Sequence, residues 1–204
     1  MIRGFADAGR IFKNKSFVES AEKSANFVMT KLRGKNGRLL RTYGKGKAKL
    51  NAYLNDYAFL ADGLIALYEA TNDKKWLLQA EEITKLQLKL FWDARRGGFY
   101  FTADDHESLL ARGKNPVDGA QPSGNSVSAE TLVFLGVALK NPDYLKKAKA
   151  TIDAFASGIQ ANADMSPRML VAYAKYLKAV PEKKKPEKKA AKKKVAKKAT
   201  KKKV

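Results

Sequence analysis

The sequence predicts an all-helical body, and three observations carry that prediction. Between residues 1 and 140 only Pro116 and Pro122 remove the backbone donor that a helix needs. Apolar residues recur at helical spacing over long stretches, each bounded by a recognisable start or stop signal. The helices also come in pairs with an internal echo: the second member opens on an aromatic, an aliphatic, two others and an alanine, as Phe17, Val18 and Ala21, then Trp76, Leu77 and Ala80, then Tyr144, Leu145 and Ala148. These openings lie 59 and 68 residues apart, too far and too unevenly for tetratricopeptide repeats, so further structure must sit between pairs.

Taken in order, the first helix is expected over Ile2 to Phe12. The second begins at Ser16, with Ser16 and Glu19 at capping-box spacing, and runs to about Leu32. The third opens at Asn55 or Asp56 and reaches about Ala70, with Tyr57, Leu60, Ala61, Leu64, Leu67 and Tyr68 on one stripe. Asn72 and Asp73 cap a fourth that ends near Trp92. A fifth covers Ser126 to Leu139, a sixth starts at Asn141 with Pro142 in its first turn, and a seventh starts at Ser166 with Pro167 in the same role. Two segments between pairs, Gly37 to Tyr43 and Gly97 to Thr102, read as short β-hairpin loops.

Within a pair the two helices differ. Thr131 to Leu139 carries no charge and Tyr57 to Ala70 carries only Asp62 and Glu69, whereas Lys146, Lys147 and Lys149 face away from Tyr144, Leu145, Ala148, Ile152 and Phe155. A helix apolar all round must be covered on both sides; an amphipathic one needs cover on one. Alternation of the two kinds is what a double ring of helices requires, with the first kind inside, so the expected architecture is an α/α toroid over residues 1–180. A plain bundle or short solenoid also consists of helix pairs, but the inter-pair hairpins count against it.

The formal net charge is +21, and it sits in two places. Residues 181–204 hold 13 Lys and two Glu, with Val195 and Val204 as the large apolar residues, so this lysine-rich tail is expected to be disordered. Its runs, including Lys183, Lys184, Lys185, Lys192, Lys193 and Lys194, suit non-specific, salt-dependent contact with nucleic acid. With no cysteine there is no disulfide, zinc ribbon or thiolate nucleophile, and the single His106 removes every two-histidine metal site. No metal and no other cofactor is expected; neither a phosphate-binding loop nor a dinucleotide fingerprint occurs. The Ser20 to Lys23 spacing matches an SxxK nucleophile motif, but lies mid-helix without its companions. The first residues lack a leader pattern and no apolar run approaches a membrane span of roughly 20 residues, so a cytoplasmic, membrane-free protein is expected.

Four segments occur in a familiar order: Leu54 to Leu60 (LNDYAFL); Phe91 to Asp93 leading into Gly97 to Thr102 (GGFYFT); Asp105 to Glu107 (DHE); and Asp118 to Ser126 (DGAQPSGNS). They resemble the C-terminal part of the spermatogenesis-associated protein 20 family, which joins a thioredoxin-like domain to an (α/α)6 toroid. The resemblance covers residues 1–178, and Asp118 to Ser126 is its most specific part. It implies a six-hairpin glycosidase-like or epimerase-like ring, with no reaction firmly assigned. The chain departs from the family pattern at Asn55, where an acidic residue is usual, and at Gly113, where proline is usual between the two cations. The resemblance further implies a truncated member lacking the thioredoxin-like domain and about half the ring. Such a half-ring would expose apolar inner faces, so a second chain or self-association is expected to complete it, or else it has no independent function.

The candidate chemistry follows from these segments. Asp118 in the most specific loop, Asp56 at the opening of an inner helix, and His106 between two acids are the candidate acid–base groups; an N-cap is the commoner role for an aspartate placed as Asp56 is, and Asp-Gly turn chemistry is the alternative for Asp118. Arg112, Lys114, Ser123, Asn125, Ser126 and Tyr57 are the candidate ligand-binding residues, through charge, free N–H groups at a helix start, or stacking against a sugar. The expected ligand is a small carbohydrate-like molecule in the ring cleft; the competing reading is a non-enzymatic module that holds nucleic acid through its tail.

Overall fold

A computed structural model describes residues 1–34, 36–106 and 111–180. Glu107 and the lysine-rich tail, with Lys183, Lys184, Lys185, Lys192, Lys193 and Lys194 and the disorder expected there, lie outside the described residues. The described residues form α1 (Ile2–Ile11), α2 (Lys15–Lys31), β1 (Leu40–Gly44), β2 (Lys47–Asn51), α3 (Leu54–Thr71), α4 (Lys74–Phe91), α5 (Gly124–Ala138), α6 (Pro142–Ala154), the short α7 (Ala156–Ala161) and α8 (Pro167–Ala179).

Caps set these boundaries. The cap of α2 falls on Asn14 rather than Ser16, because Asn14 Oδ1 accepts from both the backbone N–H and the hydroxyl of Ser16. In α3 the Asp56 carboxylate reaches back to the Tyr53 N–H at 2.8 Å, and the helix starts one to two residues early. Ser123 caps α5 by accepting from the Ser126 N–H at 3.0 Å. Asp73 and Asn141 cap α4 and α6 as expected.

One of the two expected hairpins forms. β1 and β2 pair antiparallel around Lys45 and Gly46, whose φ values of 48° and 75° are the two positive angles a type I′ turn demands. At Gly97 to Thr102 there is instead an isolated bridge from Trp92 to Phe99. The reason is local: the Asn125 amide accepts from the Phe99 N–H at 2.7 Å and donates to its C=O at 2.9 Å, which occupies the groups a partner strand would need.

The four helices α1, α3, α5 and α8 stand side by side, and α2, α4 and α6 pack outside them. α3 and α5 are buried over nearly their whole length, as their all-round apolar sequences require. Ala21, Ala80 and Ala148, the alanines of the internal echo, are each wholly buried on α2, α4 and α6, so the echo marks the faces by which the outer row docks. Leu64, Leu67, Leu132, Leu135 and Trp76 fill the space between rows, each aliphatic side chain contributing about 1.5–3 kcal/mol of burial. A Cβ on Gly124 would sit 2.4 Å from Asn55 Oδ1 and 2.9 Å from Leu54 Cγ, so only glycine lets the first turns of α3 and α5 meet.

Because inner and outer helices alternate along the chain, the inner helices run parallel and start at one end. The hairpin, the described residues of the 92–123 loop and the 155–166 segment gather there. This is a partial ring, with α1 and α8 at its two flanks; Leu170, Val171, Tyr173 and Leu177 on α8 are exposed. None of the described helices is long and apolar enough to cross a membrane.

Candidate functional site

The parallel inner helices present their first turns to a cleft of about 920 Å³. Phe27 and Val28 of α2 and Phe59 and Leu60 of α3 make its apolar wall; Arg3, Arg41, Asp56, Asp62, Gln121 and Arg168 supply its polar lining.

At the floor lies a charge network that joins all four inner helices. Asp62 of α3 is 8% exposed. Its Oδ1 accepts from Arg3 Nη1 of α1 at 2.6 Å and from Arg168 Nη2 of α8 at 3.0 Å. Arg168 Nε also donates to Glu130 Oε2 of α5, whose other oxygen accepts from Lys175 Nζ at 2.5 Å. Burial pushes the Asp62 carboxyl above its ordinary range, against the opposing pull of Arg3 and Arg168. Burial likewise works against the Arg3 charge, but Asp62 and Asp7 outweigh it and its value is raised. An inner helix that is otherwise apolar has no packing reason to carry a charge. Sequence reading noted Asp62 only as one of two charges between Tyr57 and Ala70 and did not count it among the site residues, although a charge in an apolar stretch was the available signal; Arg3, Glu130 and Arg168 carried none.

The residues singled out in the sequence fall in three places. Asp56 lines the cleft, with one oxygen on the Tyr53 N–H. Asp118 lies behind it and clamps two helix starts: its Oδ1 accepts from the Ser123 N–H and its Oδ2 from the Arg168 N–H, each at 2.7 Å. It thereby fixes the backbone from which Arg168 reaches Asp62. His106 stands apart, its Nδ1 accepting from the Ala103 N–H at 2.9 Å and its ring stacked on Tyr53 at 5.0 Å.

The remaining candidates are engaged inside the protein. Tyr57 is fully buried, its hydroxyl accepting from the Leu39 N–H at 2.9 Å; burial pushes that phenol up. Ser123, Asn125 and Ser126 are buried and spend their polar atoms on one another, Phe99, Asn115 and Pro116. Arg112 donates to the Thr102 and Leu90 carbonyls and lies over the Tyr100 ring. Lys114 donates to Asp93 at 2.5 Å and to the Gly97 carbonyl at 2.7 Å. The segment from Asp118 to Ser126 is thus the joint that seats α5 and α8, and the cleft in front of it holds the accessible chemistry. Among the described residues no cluster of histidine and acidic side chains could hold a metal ion.

An apolar inner row, an amphipathic outer row and a polar cleft at one end define an α/α toroid, here part of one. Solved toroids superpose on it: cellobiose 2-epimerase from Spirochaeta thermophila at a TM-score of 0.60 and 21% identity, covering 76% of this chain and 40% of that one; and a GH76 alpha-mannanase of Bacteroides thetaiotaomicron at 0.68 and 15%, covering 89% and 51%. No family model matches the chain. The chain is a homologue of spermatogenesis-associated protein 20, at 34% identity over 182 residues to the Rattus norvegicus protein and 32% over 182 residues to the Homo sapiens protein. It covers 23% of the length of each, and 84% of its own.

Proposed function

We propose that the cleft binds and positions a carbohydrate-like ligand, with Arg3, Asp62 and Arg168 taking its hydroxyl groups. The observation that carries this reading is the charged floor. Ion pairs taken out of water seldom add stability over apolar residues of the same shape, and this one joins four helices under an open cleft. Arg3 and Arg168 keep N–H groups beyond those bonded to Asp62, Asp7 and Glu130, so they can donate to sugar oxygens, and the Asp62 carboxylate can accept from hydroxyls. Phe27 and Phe59 offer the apolar faces on which pyranose rings rest. The superposed toroids are a cellobiose 2-epimerase and an alpha-mannanase, both named for carbohydrates, which supports the choice of ligand class.

Saturation-transfer NMR of the full chain against a panel of mono- and disaccharides tests the reading. Transfer to a sugar is expected, lost in Arg3→Met and in Asp62→Asn variants that still melt cooperatively. A panel in which no sugar receives magnetisation, with the protein folded, sinks it.

A further inference from the structure

The cleft's charge points to the kind of sugar. Of the side chains lining it, four are cationic, Arg3, Lys23, Arg41 and Arg168, and two are carboxylates, Asp56 and Asp62. Asp62 is paired with Arg3 and Arg168 together, and Asp56 gives one oxygen to the Tyr53 N–H, so the cations still outnumber the carboxylates by two. Lys23 and Arg41 have no acidic partner among the described residues. Arg41 is also more than a loose surface cation. Its guanidinium lies over the Tyr53 ring at 4.8 Å, and that ring is stacked on Phe101 and His106, both at 5.0 Å, so aromatic packing holds the charge at the cleft wall. A neutral sugar would leave this excess positive potential unanswered, inside a cleft whose apolar wall strengthens it.

We infer that the cleft selects a sugar carrying one anionic group, a carboxylate or a phosphate, with Lys23 and Arg41 meeting that group and the Asp62 floor meeting the ring hydroxyls. The inference rests on the carbohydrate reading and narrows it. Lys23 comes from α2 and Arg41 from β1, so the anion would sit against the wall of hairpin and outer helix, and the hydroxyls would point toward the inner row.

Titration calorimetry of the full chain with D-glucose, D-glucuronate and D-glucose 6-phosphate tests it, with sodium acetate and inorganic phosphate as sugar-free anions. An acidic sugar should bind roughly tenfold tighter than glucose at low salt, as two partly exposed charge contacts allow. That preference should shrink as salt is raised and vanish in the Lys23→Ala/Arg41→Ala double variant, both positions being exposed enough to leave the melt unchanged. The tighter of glucuronate and glucose 6-phosphate names the anion. If glucose binds as well as either acid and the double variant behaves the same, the carbohydrate reading stands and this inference falls. If the acidic preference survives in the double variant, or the sugar-free anions bind as tightly, the charge acts elsewhere, for instance at the lysine-rich tail, and the inference is overturned. If no sugar binds at all, both readings fall together.

Discussion

Asp93 shows how much one buried carboxylate organises here. It sits 5% exposed after the last turn of α4 and gathers Lys114 Nζ at 2.5 Å, the Tyr100 hydroxyl at 2.9 Å and the backbone N–H groups of Arg95 and Arg96 at 2.9 and 3.1 Å. The Lys114 ammonium, foremost, holds the carboxyl well below the usual carboxylate range, and the acid in turn raises the Tyr100 phenol. Asp93→Asn keeps the shape but strands the Lys114 charge, so a loss of about 3 kcal/mol is expected, read as a lower urea midpoint at unchanged slope. Sequence reading placed Lys114 and Arg112 in a ligand site because their spacing gives their charge and not their partners. Lys114 meets Asp93 from 21 residues away, and no local pattern encodes the meeting. Asp62 offered a signal of the opposite kind, a charge amid apolar residues that is conspicuous in one dimension, yet it served only as an exception to the apolar run and was not counted as a site residue.

At the scale of elements, what the sequence made plain was whatever is decided locally. Asp73, Asn141, Pro142 and Pro167 mark helix starts because cap hydrogen bonds and a missing donor act within a few residues. The short α7 went unread, since Ala156–Ala161 buries no side chain and leaves no periodic signature. The hairpin expected at Gly97 failed because its would-be partner is a side chain, Asn125, from 26 residues away. What Gly97 does instead is permit contact: it has φ +70°, and a Cβ there would stand 2.4 Å from the Ala150 carbonyl oxygen of α6. Gly97→Ala therefore meets both a left-handed backbone and a backbone oxygen that cannot swing aside. An expected cost of about 2–3 kcal/mol would register in a thermal melt. A variant as stable as the parent would mean that α6 can shift away, and that the loop does not fix the seat of α5 and α6.

For the molecule as a whole, the same carboxylates set the response to acid. Asp93 and Asp105 are held below their ordinary value, by Lys114 and by Arg38 in turn. The folded state therefore binds fewer protons than the unfolded chain, and the stability these groups contribute is fully present above the unfolded value of about 3.9 and is lost as pH falls through the folded values. Asp62 works with the opposite sign: its value is raised by burial, so its cost is present at neutral pH and relieved as pH falls. Asp93 has four donors and Asp105 adds to it, while Asp62 is partly compensated by two arginines. Meanwhile protonation of the chain's 20 acidic side chains drives a net charge already at +21 further upward, and self-repulsion grows. Acid should therefore destabilise the fold, with urea midpoints steady near neutrality and falling below about pH 4. The gap between the parent and Asp93→Asn, about 3 kcal/mol near neutral pH, should narrow over that same fall, because Asp93 takes up its proton in the unfolded chain while the folded carboxylate stays ionised, which favours unfolding of the parent and leaves the variant unaffected. A gap that stays constant down to about pH 2 would show that Asn fails there for its shape and not for its missing charge.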